Sequence, residues 1–365
     1  MELLQNRALY EEGFGARDGS TEAMRQAVLQ WFDMYYSGGV LQLPYTIVRK
    51  LVRAVFAEYR VEGCEALAAL PHRRALELAL IGGECYLKPV FGEAWQWQVV
   101  PRGSILVFSR DWNGEPTDVG LMEKIISGRN HYTLLERRRL DSRGMLTVTN
   151  RLFRSGNSRE LGREVPLASH SRYAGLPESY TYPRPMGSVG LVRLRTPMAN
   201  TVDGSGEGVS IYAPAAALIA AIEENEALTA QEFRNGQSRL VVSRDMLRDG
   251  QLADNLFVAL DDSPEAVGIT VFAPELRQKS FLERQQACLR CVENVIGLKR
   301  GLLGEVEAAD RTATEITSSE GEYMTTLMDL RAAYEDAAKA CAQLMSDLEG
   351  RNLGDVRITW GDGIV

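Results

Sequence analysis

The feature that most restricts the fold is a periodic segment near the end of the chain. Apolar or small residues stand at 316, 323, 327, 330, 334, 337, 341, 344 and 348, the steps alternating between four and three from 323 onward. Only an α-helix gathers such positions on one face. Thr312 and Glu315 supply a capping box in which each side chain satisfies a backbone donor at the helix start, and Gly350 ends the run. About 36 residues at 1.5 Å each make a rod of roughly 54 Å. A single globule of 365 residues rarely needs a rod of that length, so it is expected to be an element shared among subunits.

The remaining pattern divides into blocks. Three helical stretches open the chain: 21–36 after Asp18-Gly19-Ser20, a second with Pro44 in its first turn, and a third reaching about Leu80 before Gly82-Gly83. Short runs follow, with strands expected at 85–91, 95–100, 105–109, 119–126, 131–139 and 145–153; Asn113-Gly114 and Arg143-Gly144 mark tight turns. No helical pattern separates them, which predicts antiparallel pairing and an α+β fold class. Segment 154–188, rich in Ser, Gly, Pro and Arg, reads as a surface loop. Beyond it come a helix from Pro214 to about Asn235, a module of short strands over 239–273, and a helix starting at Pro274 and running to Ile296.

Composition removes several classes of function. At 45% hydrophobic and 25% charged residues the chain has the make-up of a folded globular protein. No run approaches the roughly 18–20 apolar residues of a membrane span, and the first residues lack a signal-peptide pattern, so a cytoplasmic origin and no membrane partner are expected. A formal charge of −8 disfavours a protein that grips DNA through phosphate contacts, though not one that lets a duplex slide. Five scattered cysteines fit a reducing compartment.

Enzyme motifs are weak throughout. His72, His131 and His170 lie far apart in sequence and are expected to be structural or surface residues. Gly204, Gly206 and Gly208 imitate a phosphate loop, but Val209-Ser210-Ile211-Tyr212 intervenes before any helix, and a flexible hinge is the better reading. Cys288 and Cys291 have redox-dithiol spacing yet fall in mid-helix, where they read as core residues. The acidic pairs Glu11-Glu12, Glu223-Glu224, Asp261-Asp262 and Glu335-Asp336 fall on polar faces or turns, and Glu136-Arg137-Arg138-Arg139 reads as an exposed edge or subunit contact. No catalytic residue, metal site or cofactor is expected.

The order of segments resembles the portal proteins of tailed bacteriophages with long non-contractile tails. The most specific match is Arg311-Thr312-Ala313-Thr314-Glu315-Ile316, similar to the signature that opens the long helix in that family. Further matches are Pro274-Glu275-Leu276-Arg277 leading to Ile296-Gly297-Leu298, Tyr132 to Glu136 with Asn150 to Phe153, Ser210 to Pro214 with Glu232 to Gly236, and Val356 to Asp362. The resemblance implies a wing (1–210), a stem helix (213–236), a clip (237–273), a second stem helix (274–298), a tunnel loop (299–311), a long wing helix (312–349) and a wing strand (350–365). The family's C-terminal crown would be missing.

That family forms rings of about twelve subunits at one capsid vertex of the virion, assembled in the host cytoplasm. The rings pass double-stranded DNA without sequence specificity during packaging and ejection. The implied partners are further copies of the chain, the terminase motor, a head-completion adaptor, and capsid and scaffolding proteins; ATP hydrolysis would belong to the motor. Residues 299–365 hold seven Lys or Arg against 13 Asp or Glu, so an anionic bore with weak hold on phosphate is expected. Lys299, Arg300, Glu305, Glu307 and Asp310 are the nominated channel residues; for Lys299 and Arg300, a cation pair at a helix C-terminus is the equal alternative. Arg239, Arg244, Asp245, Arg248 and Asp249 are the nominated clip contacts. Two other readings remain open, a cytoplasmic α/β enzyme with a helical oligomerisation arm and a coiled-coil scaffold protein.

Overall fold

The computed structural model describes residues 2–91, 94–236, 239–243, 257–260, 270–272, 275–305 and 313–361; for 239–243, 257–260, 270–272 and 313–319 it gives the backbone path only. The chain forms two compact units, one of 1–214, 296–298 and 312–365, the other of 215–295 and 299–311.

In the first unit the helices α1 (Glu2–Gln5), α2 (Arg7–Phe14), α3 (Glu22–Tyr36), α4 (Leu43–Val55) and α5 (His72–Gly82) precede and flank the sheets. Helix α3 begins where Thr21 Oγ1 accepts the Met24 N–H at 3.2 Å, and α5 stops at Gly83, whose φ of 82° suits glycine. Helices α1 and α2 were not expected. They bury Leu3, Leu4, Tyr10 and Phe14 but are too short to show a period. The core of α3, α4 and α5 is built from Val28, Trp31, Ile47, Leu51, Leu76 and Leu80.

The strands are β1 (Tyr59–Glu62), β2 (Glu84–Phe91), β3 (Trp95–Pro101), β4 (Ile105–Arg110), β5 (Pro116–Ser127), β6 (Asn130–Leu140), β7 (Met145–Ser155), β8 (Arg163–Val165), β9 (Ser179–Pro185) and β10 (Val192–Arg195). One sheet has the order β10-β2-β3; another has β4-β5-β6-β7-β8, with β9 also pairing β7. All these pairings are antiparallel, as expected. The stretch 154–188 is more ordered than its composition suggests, because β8 and β9 both pair with β7 and Leu167 and Tyr173 join Tyr132, Leu134 and Leu152 in a buried cluster.

Glu136 to Arg139 lie in β6, an interior strand and not an edge. Alternation turns Glu136 and Arg138 inward, where Glu136 pairs with both Arg138 and Lys88, and Arg138 donates to the carbonyls of Val189 and Gly190. Burial raises the Glu136 pKa, but the Arg138 and Lys88 cations outweigh it and hold the carboxylate at about 2.

Helix α8 (Ala313–Glu349) has 37 residues and ends at Gly350, whose φ is 68°. Tyr323, Leu327, Leu330, Tyr334, Ala337, Cys341 and Leu344 are all buried, so the predicted stripe packs within this chain's own first unit. Beyond it β14 (Arg357–Trp360) pairs antiparallel with β1, a ribbon the sequence reading had paired with nothing. Around that ribbon Phe56, Tyr59, His72, Tyr334 and Trp360 form an aromatic cluster, with the Phe56 and Tyr334 rings 4.9 Å apart edge to face.

The first unit closes on a buried ionic hub. Glu84, fully buried at the start of β2, faces Arg102 (3.3 Å), Arg110 (3.3 Å) and Arg193 (3.5 Å), accepts from the Tyr86 hydroxyl (2.7 Å), and accepts the Gly208 N–H (3.1 Å). Arg102, 2% exposed, also binds Glu207 at 2.8 Å and the Ser20 hydroxyl at 2.7 Å. Burial pushes the Glu84 pKa up; the three guanidinium groups overcome it and hold it at about 2. Breaking a buried pair strands the other charge, so Arg102→Met is expected to destabilise the unit by about 3–5 kcal/mol in denaturant unfolding. Unfolded carboxylates titrate near ~4.3, well above the folded values of Glu84 and Glu136. Their stabilisation is therefore whole above about pH 4.5 and drains as pH falls toward 2, and Glu84→Gln should flatten that slope in acid melts.

In the second unit α6 (Ala216–Asn235) and α7 (Gln278–Ile296) run antiparallel. Asn225 Nδ2 donates to the Phe281 carbonyl at 3.1 Å, Gln285 Nε2 to Glu226 at 3.1 Å, and Arg277 holds Glu232 at 2.8 Å. Helix α7 begins at Gln278 and not at Pro274: the Arg277 carbonyl accepts the Ser280 N–H at 3.1 Å and closes the first turn, while its guanidinium is held by Glu232. The strand module is a three-stranded sheet of β12 (Phe257–Leu260), β11 (Arg239–Ser243) and β13 (Thr270–Phe272), with β11 parallel to β12 and antiparallel to β13.

Candidate functional site

The nominated loop leaves α7 through Gly297 and Gly301, whose φ values of 74° and 83° are left-handed conformations that favour glycine. A Cβ on Gly297 would also stand 2.4 Å from the Thr326 hydroxyl. Lys299 lies between these glycines, half-buried, and its carbonyl accepts the Leu302 N–H at 3.0 Å; Arg300 and Glu305 are exposed. Glu307 and Asp310 lie outside the described residues, so only Lys299, Arg300 and Glu305 of the five channel nominees are brought together on one described segment.

The residue that shapes this segment is Glu293, which the sequence reading passed over. It sits in the last turn of α7, fully buried. Its Oε2 accepts the Gly301 N–H at 3.0 Å, and its Oε1 accepts the N–H groups of Leu303 (2.6 Å) and Gly304 (3.2 Å). Two turns earlier, Gln286 Oε1 accepts the Glu305 N–H at 2.9 Å. A carboxylate near a helix C-terminus opposes the helix dipole, so this anion is retained for the loop amides it gathers. The available signal was an acid at the end of an apolar stripe, in line with Leu289, Val292 and Ile296.

The other nominated residues are dispersed. Arg239 is the first residue of β11, and Arg244, Asp245, Arg248 and Asp249 lie outside the described residues. The same holds for Thr312 and for the side chain of Glu315, although α8 does begin at Ala313. Asp261 and Asp262 also lie outside.

Three motif readings change or sharpen. Cys288 is half-buried and Cys291 exposed, flanking the buried stripe of α7 without joining it, so they are not core cysteines. The glycine-rich turn is not a hinge: Glu207 is buried in the ionic hub, the Gly206 carbonyl accepts from Arg193 (3.1 Å) and Arg195 (3.0 Å), and Gly208 packs so closely on Gly83 that either Cβ would clash with backbone. The histidines behave as structural groups. His72 contacts the Tyr334 hydroxyl, with its pKa lowered by burial, and His170 lies 5.0 Å from the Tyr132 ring. Among the described residues there is no group of three or more metal-ligating side chains.

No family model matches the chain, and no curated protein matches it in sequence. Solved structures do match, along nearly the whole length. A chain in the virion of a native gene transfer agent (GTA) particle is 14% identical with a TM-score of 0.54, covering 99% of this chain and 90% of its own. A chain in the neck of a native GTA particle, computed with C12 symmetry, is 13% identical with a TM-score of 0.53, covering 96% and 87%. The chain is thus an α+β protein that shares its fold with a chain of a GTA virion and a chain of a GTA neck.

The Glu293 contacts carry a prediction. Each hydrogen bond to a charged acceptor contributes about 1.5–3 kcal/mol, so Glu293→Ala should speed amide exchange at Gly301, Leu303 and Gly304 by roughly tenfold or more. Mass-spectrometric hydrogen exchange checks this, with peptides from α3 and α5 expected to be unchanged.

Proposed function

We propose that this chain is a portal subunit: a ring-forming protein whose central passage lets double-stranded DNA through at one vertex of a virus-like capsid. The observation that carries the reading is the fold likeness, at 96% coverage, to a chain of a particle neck computed with C12 symmetry. The order of elements supports it: a helix pair and a small strand module are inserted between Pro214 and α8, as the wing, stem, clip and tunnel-loop layout requires. The α8 rod and the Glu293-braced loop root fit the same layout.

Charge supplies the physical logic. At −8 per chain, a ring of many copies is strongly anionic, and each Lys or Arg facing phosphate would add salt-dependent grip. A lining poor in cations keeps movement of a duplex cheap. In this reading Lys299 and Arg300 are the few cationic contacts and Glu305 one of the repelling groups, while the clip docks a terminase motor and later a head-completion adaptor. The subunit is non-enzymatic and acts as a conduit in the virion.

Two outcomes test the reading. Native mass spectrometry of the purified chain should give closed assemblies of about a dozen subunits; compact dimers or tetramers would favour an enzyme. Glu305→Lys adds two positive charges per copy and should slow DNA packaging, more at low than at high salt, while assembly proceeds. Packaging at the parent rate would remove Glu305 from the passage.

A further inference from the structure

The sheet β10-β2-β3 ends in an open edge at β10. The Thr196 N–H reaches the Gly83 carbonyl at 2.9 Å, in line with the pairs Leu194–Cys85 and Val192–Leu87. Strand alternation therefore turns the backbone N–H and C=O of Val192 and Leu194 toward β2, and those of Arg193 and Arg195 away from it. These outward groups have no hydrogen-bond partner among the described residues. An edge left in this state is a template for a further strand. A groove of about 710 Å³ runs along it, lined by Leu191, Val192, Arg193, Arg195, Thr196 and Pro197 of the edge. Helix α8 supplies a wall in which Ala332, Ala333, Ala337 and Ala340 leave room beside the strand. The charges in the groove are unequal, with Asp329, Asp336, Asp347 and Glu115 against Arg193 and Arg195. Both guanidinium groups are already held by the Gly206 carbonyl, and Arg193 by Glu84 and Glu115 as well. Asp329 and Asp336 are exposed and have no ion-pair partner among the described residues.

We propose that this groove takes an extended segment of a partner protein, bearing lysine or arginine, which adds to β10 as a further strand. The N–H and C=O groups of Arg193 and Arg195 pair with the incoming main chain and supply the sequence-independent part of the recognition. Side chains supply the rest. Successive residues of a strand alternate between two faces, so every second side chain of the segment meets the α8 wall. A lysine or arginine there lays its aliphatic stem across the alanines and carries its charge to Asp329 or Asp336. A docked helix would fill the groove but leave the outward backbone groups of β10 unpaired. A nucleic acid would bring phosphates against four carboxylates. The contact goes beyond the portal reading and does not depend on how many copies assemble.

Fluorescence anisotropy on the full-length chain tests this with a labelled, end-blocked peptide of about seven residues alternating Lys and Val. It should bind, and a peptide alternating Glu and Val should bind about tenfold more weakly or worse. Methylating the amide nitrogens of the Lys residues, or instead those of the Val residues, removes the donors from one strand edge at a time. One set should weaken binding about tenfold and the other leave it within about threefold. Asp329→Asn combined with Asp336→Asn should weaken binding and flatten its salt dependence. Circular dichroism of that variant should match the parent, since both side chains are exposed and unpaired. Bound peptide should slow hydrogen exchange over 191–196 and leave β9 unchanged, read by mass spectrometry. No binding, equal effects of the two methylated sets, or protection elsewhere would overturn the added strand. Protection of 191–196 in peptide-free assemblies, lost on dilution, would give the edge to a second copy and overturn the proposal as well. The number of subunits per assembly tests the portal reading separately, because peptide binding neither requires nor excludes a ring.

Discussion

The first unit depends on one buried carboxylate. Glu84 sits at zero exposure at the start of β2, where an unpaired anion would be prohibitive, and three guanidinium groups from separate parts of the chain converge on it. Arg102 comes from the turn after β3, Arg110 from the end of β4 and Arg193 from β10, while Glu207 and the Gly208 amide arrive from the glycine-rich turn. The opening helices enter the same network through Ser20. Such an arrangement contributes modestly to net stability, because desolvation offsets much of the attraction, but it penalises any packing that leaves one member out.

A second constraint is the return of the chain. Nearly a hundred residues separate Pro214 from the start of α8, and most of them belong to the second unit. Helix α8 then buries its stripe in the first unit, and β14 completes a ribbon with β1. The second unit is consequently an insertion in a unit that closes on itself, an organisation in which the inserted hairpin and loop are free to be specialised. Glu293 illustrates that specialisation, since it contributes to the loop root at the expense of an unfavourable position in its own helix.

Much of this was legible in residue order. The periodic stripe of α8 and the alternating runs of β2 to β7 are local signals, and local signals survive in a single sequence. What failed was long-range or context-bound. Arg138 and Glu136 read as surface charges because nothing local tells that Lys88 and two distant carbonyls meet them. The glycine run read as a hinge because its purpose, the close approach of Gly208 to Gly83, spans more than a hundred residues. Strand β9 hid in a segment of loop-like composition, and β1 was too short to register until β14 supplied its partner. At the candidate site, the glycines and cations of the loop were visible, but Glu293 was not, because its role is defined by backbone amides that carry no sequence identity.

In the portal reading proposed above, the inserted hairpin and the anionic balance belong to a subunit that surrounds a moving polyanion. Cryo-electron microscopy of the purified assembly addresses this most directly. The account predicts a rotationally symmetric ring with an open axial bore wide enough for a DNA duplex and with residues 299–305 directed toward it. A closed assembly with no bore, or one whose axis is lined by other parts of the chain, would contradict it.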